Sequence, residues 1–223
     1  MAPSRDSGIG GQITAQDIDA AIAAAGLAAL PSGASERLLA YLELLLRWNS
    51  RLNLTAVREP SEIIRRHLVE CIQCAQALPP SRTLLDFGTG AGLPGIPVAI
   101  VRPEIRVTLG ESQGKKAAFL REAVRILSLS TEVYDGRIEN MPSDRIFDVV
   151  TLRAVDKMAE ACRTAVERIA PRGWIVVFAT SATEAPLQQL PLVIWTRRLH
   201  SPNLEDGVLL LGQKQDVSRG TSE

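Results

Sequence analysis

The strongest constraint on the fold is an alternation of strand-like and helix-like segments that begins at Thr83. The strand-like segments are TLLDF, RVTLG, STEVYDG, FDVVTL and GWIVVFAT. The helical segments between them are GIPVAIVRP, GKKAAFLREAVRIL and VDKMAEACRTAVERIA. Strands joined by helical crossovers run parallel, with helices covering both faces of the sheet. The pattern therefore predicts an α/β fold of Rossmann-like type with a mostly parallel sheet.

The last two apolar segments break this alternation. LPLVIWTRRL and GVLLLGQK are separated by HSPNLED, which is too short for a crossover helix. Neighbouring strands with a short connection pair in antiparallel fashion. We expect an antiparallel hairpin at one edge of the sheet.

The chain before residue 82 has helical character only. Thr14 and Asp17 match a capping box and predict a helix that continues to about Ala29. A second helix is predicted from about Ser35 to Ser50, where leucines recur at helical spacing.

These patterns divide the chain into three parts. We expect an N-terminal helical extension over residues 1–81, a sheet domain over residues 82–216 and a polar tail over residues 217–223.

Cys71 and Cys74 form an isolated C-x-x-C pair on a third predicted helix, which ends at Pro79. A zinc site of this spacing normally has a second pair of ligands, and the sequence offers none. We interpret the two cysteines as part of a buried helix face and expect no metal. The total of three cysteines is odd, which is typical of a reducing compartment rather than of a disulfide framework.

Charge and hydropathy limit the possible partners. The chain has 25 basic and 25 acidic residues and a pI near 6.8. A polyanionic partner must therefore be bound by a local basic patch. No apolar stretch approaches the roughly 20 residues needed to span a bilayer, and the first residues lack the apolar core of a secretion signal. We expect a cytoplasmic protein with no membrane partner.

The glycine-rich segment LLDFGTGAGLPG follows the first strand and predicts a ligand loop. In one register, Gly90, Gly92 and Gly95 match the dinucleotide fingerprint G-x-G-x-x-G. That register would place Asp86 and Gly88 inside the strand, where unbroken apolar residues are expected. A turn that begins at Gly88 leaves the strand uninterrupted.

In this second register, Asp86, Gly88, Gly90 and Gly92 resemble the first motif of class I S-adenosylmethionine-dependent methyltransferases, whose sheet also ends in an antiparallel hairpin. Under this resemblance the Glu111 carboxylate accepts hydrogen bonds from both ribose hydroxyls of the cofactor.

A narrower resemblance covers about residues 36–156. The segments RWNSRLNLTAVREP, RHLVECI, DFGTGAGLPGIPVAI, ESQGKKAAFLREA, GRIENMP and FDVVTLRAV are similar, in order and spacing, to the bacterial small-subunit ribosomal RNA guanine-N7 methyltransferases, also called glucose-inhibited division protein B. The resemblance implies methyl transfer from S-adenosylmethionine to N7 of a guanine in the 530 loop of 16S rRNA. The implied partner is 16S rRNA or the small ribosomal subunit, and we expect a monomer.

The same resemblance assigns residues to the cofactor site. It places Gly88 and Leu93 in the cofactor loop, Ile138 and Glu139 at the adenine, and Arg153 on the cofactor or substrate side of the cleft. The chain departs from the family pattern in three places, which are Cys71 in place of a serine, Gln113 in place of an apolar residue, and FATSATEAP, which lacks the expected lysine-glycine.

Methylation of guanine N7 requires neither a general base nor a cysteine nucleophile. Guanine N7 carries an exposed lone pair and attacks a methyl group without losing a proton. Arg137 and Arg153, each just past a strand end, are the expected catalytic residues. The segment Thr151–Ala154 contains neither the polar-Pro-Pro-aromatic clamp of amine methylation nor a cysteine nucleophile. The mechanism expected is alignment of the two reactants.

Several polar residues near the N-L-T segment, which is Asn53–Thr55, and after Glu111 are candidates for RNA binding. They are Arg47, Arg51, Asn53, Arg58, His67, Lys115 and Lys116, with Arg121 and Arg125 further along the same helix as Lys116. Solvated helix faces are the alternative interpretation of the arginines, and His67 is alternatively a packed helix residue.

Two other functions remain open from the sequence. A small-molecule methyltransferase would share the fold and the cofactor, but it would not explain the basic N-L-T region. A non-catalytic RNA-binding domain would need neither the loop beside Asp86 nor the acid at Glu111.

Overall fold

The computed structural model describes residues 13–216, and the predicted polar tail of residues 217–223 lies outside that range. The strands are β1 (Thr83–Phe87), β2 (Arg106–Glu111), β3 (Glu132–Asp135), β4 (Phe147–Arg153), β5 (Ile169–Thr180), β6 (Val193–His200) and β7 (Gly207–Lys214). The α-helices are α1 (Ala15–Ala24), α2 (Ala34–Leu52), α3 (Pro60–Ile63), α4 (Val69–Ala77), α5 (Gly95–Val101), α6 (Gly114–Ile126), α7 (Met158–Glu167) and α8 (Ser181–Gln188). A π-helical turn, Ile64–Leu68, joins α3 to α4, and a 3₁₀ turn, Ile138–Asn140, follows β3.

All seven strands form one sheet in the order β3-β2-β1-β4-β5-β7-β6. The first five strands are parallel, and β7 runs antiparallel between β5 and β6. The predicted mostly parallel sheet with an antiparallel hairpin at its edge is confirmed. The strand order reverses at β1 and β4, and ligands of open α/β sheets bind at such a point.

Alternate residues of the central strands face two separate cores. Leu84 and Val149 pack with the helices that precede β1 and with α5 and α6. Leu85 and Val150 point to the other face, where α7 and α8 cover them. Because both faces are buried, β1 and β4 need almost continuous apolar sequence. The N-terminal helices thus share a core with the sheet, while the division of the chain at residue 82 stays a prediction.

Two helix ends differ from the prediction. Helix α1 begins with the predicted Thr14–Asp17 capping box, but it ends at Ala24 instead of Ala29. Gly26 adopts a φ of 69° there, and the Leu27 amide donates to the Ile22 carbonyl, which closes the helix as a Schellman motif.

The second difference is at the end of α7, which was predicted to reach residue 170 and stops at Glu167. Strand β5 begins at Ile169 instead, where Ile169 pairs with Phe147 of β4.

Helix α8 has no counterpart among the elements predicted from the sequence. Thr180 and Thr183 form a capping box at its start, but the sequence signature of such a box has Glu or Gln at the position of Thr183. Pro186 lies inside the helix, where proline is rare beyond the first turn, so the local sequence does not favour a helix here.

The cysteines and the apolar helices match their interpretation as core. Cys71 and Cys74 are free and completely buried on α4, and burial raises the pKa of Cys71 to about 12. Among residues 13–216, no three histidine, cysteine or carboxylate side chains are grouped as metal ligands would be. None of the described helices combines the length and the apolar character that crossing a bilayer requires.

Candidate active site

A cleft of about 590 Å³ opens at the carboxyl ends of β1, β2 and β4. The sequence-predicted residues that line it are Gly88, Gly90, Leu93, Glu111, Ile138, Glu139, Arg137, Arg153, His67 and Lys116. The lining residues that the sequence analysis missed are Leu54, Thr55, Phe87, Thr89, Ala91, Gly110, Ser112, Gln113, Gly136, Ala154, Val155 and Asp156. Most of these directly neighbour a predicted residue, so each predicted segment lines the cleft over several positions.

Asp86 lies behind the glycine loop and does not line the cleft. Its buried carboxylate accepts hydrogen bonds from the Gly95 amide at 2.8 Å, from Thr151 Oγ1 at 2.9 Å and from the Thr89 hydroxyl. Burial raises the pKa of Asp86 to about 6, although these three donors oppose that shift. Asp86 therefore ties the loop to β4 and to the start of α5.

The glycines of the loop differ in what surrounds them. Strand β1 ends at Phe87, so the turn begins at Gly88, as the methyltransferase register predicts. A Cβ added at Gly90 would meet only the Gly88 carbonyl, at 3.9 Å, so this backbone is open to the cleft. A Cβ at Gly92 would clash with the Ile96 side chain, so a glycine at this position allows close packing against α5. The Tyr41 hydroxyl of α2 donates to the Ala91 carbonyl at 2.6 Å and holds the loop from below.

Glu111 ends β2 beside this loop and is only 6% exposed. Its Oε2 accepts from the Gly90 amide at 3.0 Å, and its Oε1 accepts from the Gln113 amide at 2.8 Å. Each carboxylate oxygen has further acceptor capacity. Glu111 is thus oriented by two backbone amides and can accept two more hydrogen bonds from a ligand in the cleft.

Arg153 ends β4 and joins the sheet to the helical segment before β1. Its Nη2 donates to Glu70 at 2.9 Å and lies 2.9 Å from His67 Nδ1. The Arg153 and Glu70 side chains are 14% and 8% exposed. The guanidinium also lies over the Phe178 ring, 5.5 Å from its centroid. Arg153 is therefore a fixed cation in the wall of the cleft.

His67 is held between Arg153 and the N-L-T loop. Its Nε2 lies 3.0 Å from Thr55 Oγ1. Burial, followed by the Arg153 charge, lowers the pKa of His67 to about 4. His67 is consequently neutral at physiological pH.

This low pKa predicts a pH dependence of folding stability. The unfolded chain binds a proton at His67 below about pH 6.5, whereas the folded chain does so only near pH 4. The contribution to stability is complete above pH 6.5 and is lost as the pH falls to about 4, by up to about 3 kcal/mol. NMR titration of the His67 ring and denaturant unfolding across this range measure it, with His67→Gln as the control that removes this part of the dependence. A ring that titrates near 6.5 in the folded protein would contradict the prediction.

The N-L-T loop enters the cleft after α2 ends. Asn53 terminates α2 with a φ of 49°. The buried Asn49 side chain accepts from the Thr55 amide at 2.9 Å and donates to the Thr55 carbonyl at 3.0 Å. These two hydrogen bonds place Leu54 and Thr55 in the cleft wall.

The predicted RNA-binding residues are not all in one place. Lys116 lines the cleft, whereas Arg47, Arg51, Asn53, Arg58 and Lys115 are exposed outside it. Arg121 and Arg125 bind Asp135 and Glu122. Within residues 13–216, Arg47, Arg51 and Arg58 form no salt bridge, so their charges are available to a polyanion.

Known proteins are similar to this chain in sequence and in fold. The family model of rRNA small subunit methyltransferase G (GidB) matches residues 34–202. A ribosomal RNA small subunit methyltransferase G of Xanthomonas euvesicatoria is 39% identical over 210 residues, which is 92% of each chain. One from Xanthomonas campestris is 44% identical over 160 residues, 71% of this chain and 69% of the relative.

A solved structure agrees at the level of the fold. The N-methyltransferase NodS of Bradyrhizobium japonicum has a TM-score of 0.54 and 16% sequence identity, over 67% of this chain and 94% of its own. Since the family model covers most of the chain and the relatives match it at 39% identity or more, the chain belongs to the rRNA small subunit methyltransferase G family and is a methyltransferase.

Proposed function

We propose that this enzyme transfers a methyl group from S-adenosylmethionine to N7 of a guanine in the 530 loop of 16S rRNA. Membership of the family sets aside a non-catalytic RNA-binding domain, and the names of the relatives support an rRNA substrate. The observation that carries the proposal is that the oriented Glu111 carboxylate, the open glycine loop and the N-L-T loop meet in one cleft. We also propose that the reaction takes place in the cytoplasm and that the enzyme acts as a monomer on 16S rRNA or the small ribosomal subunit.

The cleft residues fit the cofactor. The open backbone at Gly90 leaves room for its methionine end, and Glu111 would accept hydrogen bonds from its ribose hydroxyls. Ile138 and Glu139 line the wall beyond β3 and would contact its adenine. Asp86 and Gly92, although predicted as cofactor-binding, would act indirectly by shaping the loop. When bound, the cofactor supplies an activated methyl group on a sulfonium.

The remaining residues would align the substrate. Arg153 and Arg137 lie on the cleft wall and would bind the target nucleotide or the cofactor carboxylate. Guanine N7 needs no deprotonation, and neutral His67 has its Nδ1 engaged by Arg153. The rate would come from positioning, where oriented reactants reach effective molarities of about 10⁵ M or more.

The test is nucleoside mass spectrometry of 16S rRNA from cells that lack the gene. The 7-methylguanosine of the 530 loop should disappear and should return when the gene is supplied in trans. Unchanged 7-methylguanosine in the 530 loop would refute the proposed target.

The absence of a required base predicts a flat pH profile. Single-turnover methyl transfer at saturating RNA and cofactor should not depend on a group that titrates between about pH 6 and 8. His67→Gln should keep the flat profile even where misalignment lowers the rate. A bell-shaped profile that disappears in His67→Gln would point to a different target atom.

The exposed arginines predict the salt dependence of RNA binding. If Arg47, Arg51 and Arg58 contact phosphates, changing all three to glutamine should lower the slope of log affinity against log salt by about 2 to 3. Affinity for S-adenosylhomocysteine should stay the same. Filter binding at several salt concentrations measures the slope.

The matched control changes three arginines near the opposite end of the sheet, Arg82, Arg106 and Arg145, which should leave the slope unaltered. If both triple variants show the same slope of log affinity against log salt, Arg47, Arg51 and Arg58 belong to a solvated face and do not contact RNA.

A further inference from the structure

We propose that the Thr55 hydroxyl donates a hydrogen bond to O6 of the target guanine, and that His67 acts as the positioning residue that prevents this hydroxyl from acting as an acceptor. The inference rests on the proposed function and names a residue that selects guanine over adenine.

The contact with Arg153 fixes the tautomer of His67. A guanidinium only donates hydrogen bonds, and Arg153 Nη2 lies 2.9 Å from His67 Nδ1. Nδ1 must therefore carry a lone pair. The ring of neutral His67 then has its single proton on Nε2, which donates to Thr55 Oγ1 at 3.0 Å.

The Thr55 hydroxyl accepts two hydrogen bonds, of which the one from His67 is the first. Oγ1 also accepts from the Val57 amide at 3.2 Å. A hydroxyl has two lone pairs and one proton, so both lone pairs of Thr55 are occupied. Among residues 13–216, no side chain or carbonyl accepts the remaining proton, and Thr55 lines the cleft. An ordinary hydroxyl can donate or accept, whereas this one can only donate.

The position of Thr55 in the cleft indicates which group accepts its proton. The glycine loop after β1 and Glu111 at the end of β2 form the proposed cofactor side of the cleft, while Thr55 contacts His67 and, through it, Arg153 at the end of β4. Thr55 is thus on the side away from the ribose, where the methyl acceptor must approach. On the edge of the base that bears N7, guanine presents the acceptor O6, and adenine presents the donor N6 amino group in the same place. A hydroxyl that can only donate would bond to guanine and would face an unpaired donor on adenine.

The test compares two bases at the target position of 16S rRNA, guanine and 2-aminopurine, which keeps N7 but lacks O6. For guanine RNA, Thr55→Val should lower kcat/KM about tenfold relative to the wild type, the size of a lost hydrogen bond. For 2-aminopurine RNA, the two enzymes should differ less than twofold. Thr55→Ser, which keeps the hydroxyl, should retain the discrimination between the bases.

Binding of RNA and of S-adenosylhomocysteine provides two further measurements. If 2-aminopurine RNA is methylated too slowly to time, its affinity for the enzyme with S-adenosylhomocysteine gives the same comparison. Because both RNAs are tested on one enzyme sample, partial unfolding cancels, and Thr55→Ala replaces the valine variant if that variant does not fold. Equal losses on both bases, or tenfold weaker S-adenosylhomocysteine binding, would overturn the inference. A wild-type enzyme that leaves guanine RNA unmethylated would instead refute the proposed function.

Discussion

Glu111→Gln is expected to weaken binding of S-adenosylmethionine by about a hundredfold or more. Each carboxylate oxygen of Glu111 accepts a backbone amide, from Gly90 and from Gln113. Glutamine has only one acceptor oxygen, so its amino group would face one of these N–H donors. The substitution would therefore disorder the glycine loop as well as remove the charge that should bind the ribose. Two charge-assisted hydrogen bonds of about 1.5 to 3 kcal/mol each account for the expected loss.

Calorimetry with S-adenosylmethionine and S-adenosylhomocysteine measures this effect, and Glu111→Ala should resemble Glu111→Gln. Glu132→Gln, which changes a half-exposed carboxylate at the start of β3, is the matched control and should bind normally. Gly88→Val should also lose affinity, because Gly88 has a φ of 65° that valine rarely adopts. Unchanged affinity in the Glu111→Ala and Gly88→Val variants, or tighter binding of NAD than of S-adenosylhomocysteine, would contradict this cofactor assignment.

Arg153→Met is expected to destabilise the protein by about 3 to 5 kcal/mol and to abolish detectable methyl transfer. Removing the guanidinium leaves the Glu70 carboxylate buried, at 8% exposure, without a countercharge. It also leaves His67 Nδ1 without the donor that fixes the ring. Denaturant unfolding and single-turnover methylation measure the two losses separately.

The double variant Glu70→Gln with Arg153→Met separates stability from activity. It removes both charges, so most of the lost stability should return, since replacing a whole buried pair costs far less than breaking it. Activity should remain absent, because the cation of the cleft wall is still missing. If Arg153→Met alone kept full activity, the assignment of Arg153 to the site would fail.

Local signals in the sequence were sufficient for most of the architecture. The alternation of strands and helices specified the parallel sheet, and the short HSPNLED connection specified the antiparallel hairpin, because periodicity and loop length act over a few residues. The register of the glycine loop also followed from local sequence, since an uninterrupted strand up to Phe87 leaves Gly88 as the first residue of the turn. The end of α1 had a local signal that the prediction missed, the positive-φ Gly26. The end of α7 had none, because the pairing of Ile169 with Phe147 of β4 decided it.

The composition of the cleft was determined only by tertiary structure. Arg153 lies 86 residues beyond His67. It meets His67 and Thr55 because α2 ends at Leu52 and the Asn49 side chain holds the following loop near the end of β4. The sequence identified His67 and Arg153 as candidates by residue type and position. It did not identify Thr55, whose hydroxyl has a defined role only once Arg153 has selected the tautomer of His67. Periodicity and motifs reflect interactions between near neighbours in the chain. The hydrogen bonds from Arg153 to His67 and from His67 to Thr55 form only because the packed core brings these side chains within about 3 Å of one another.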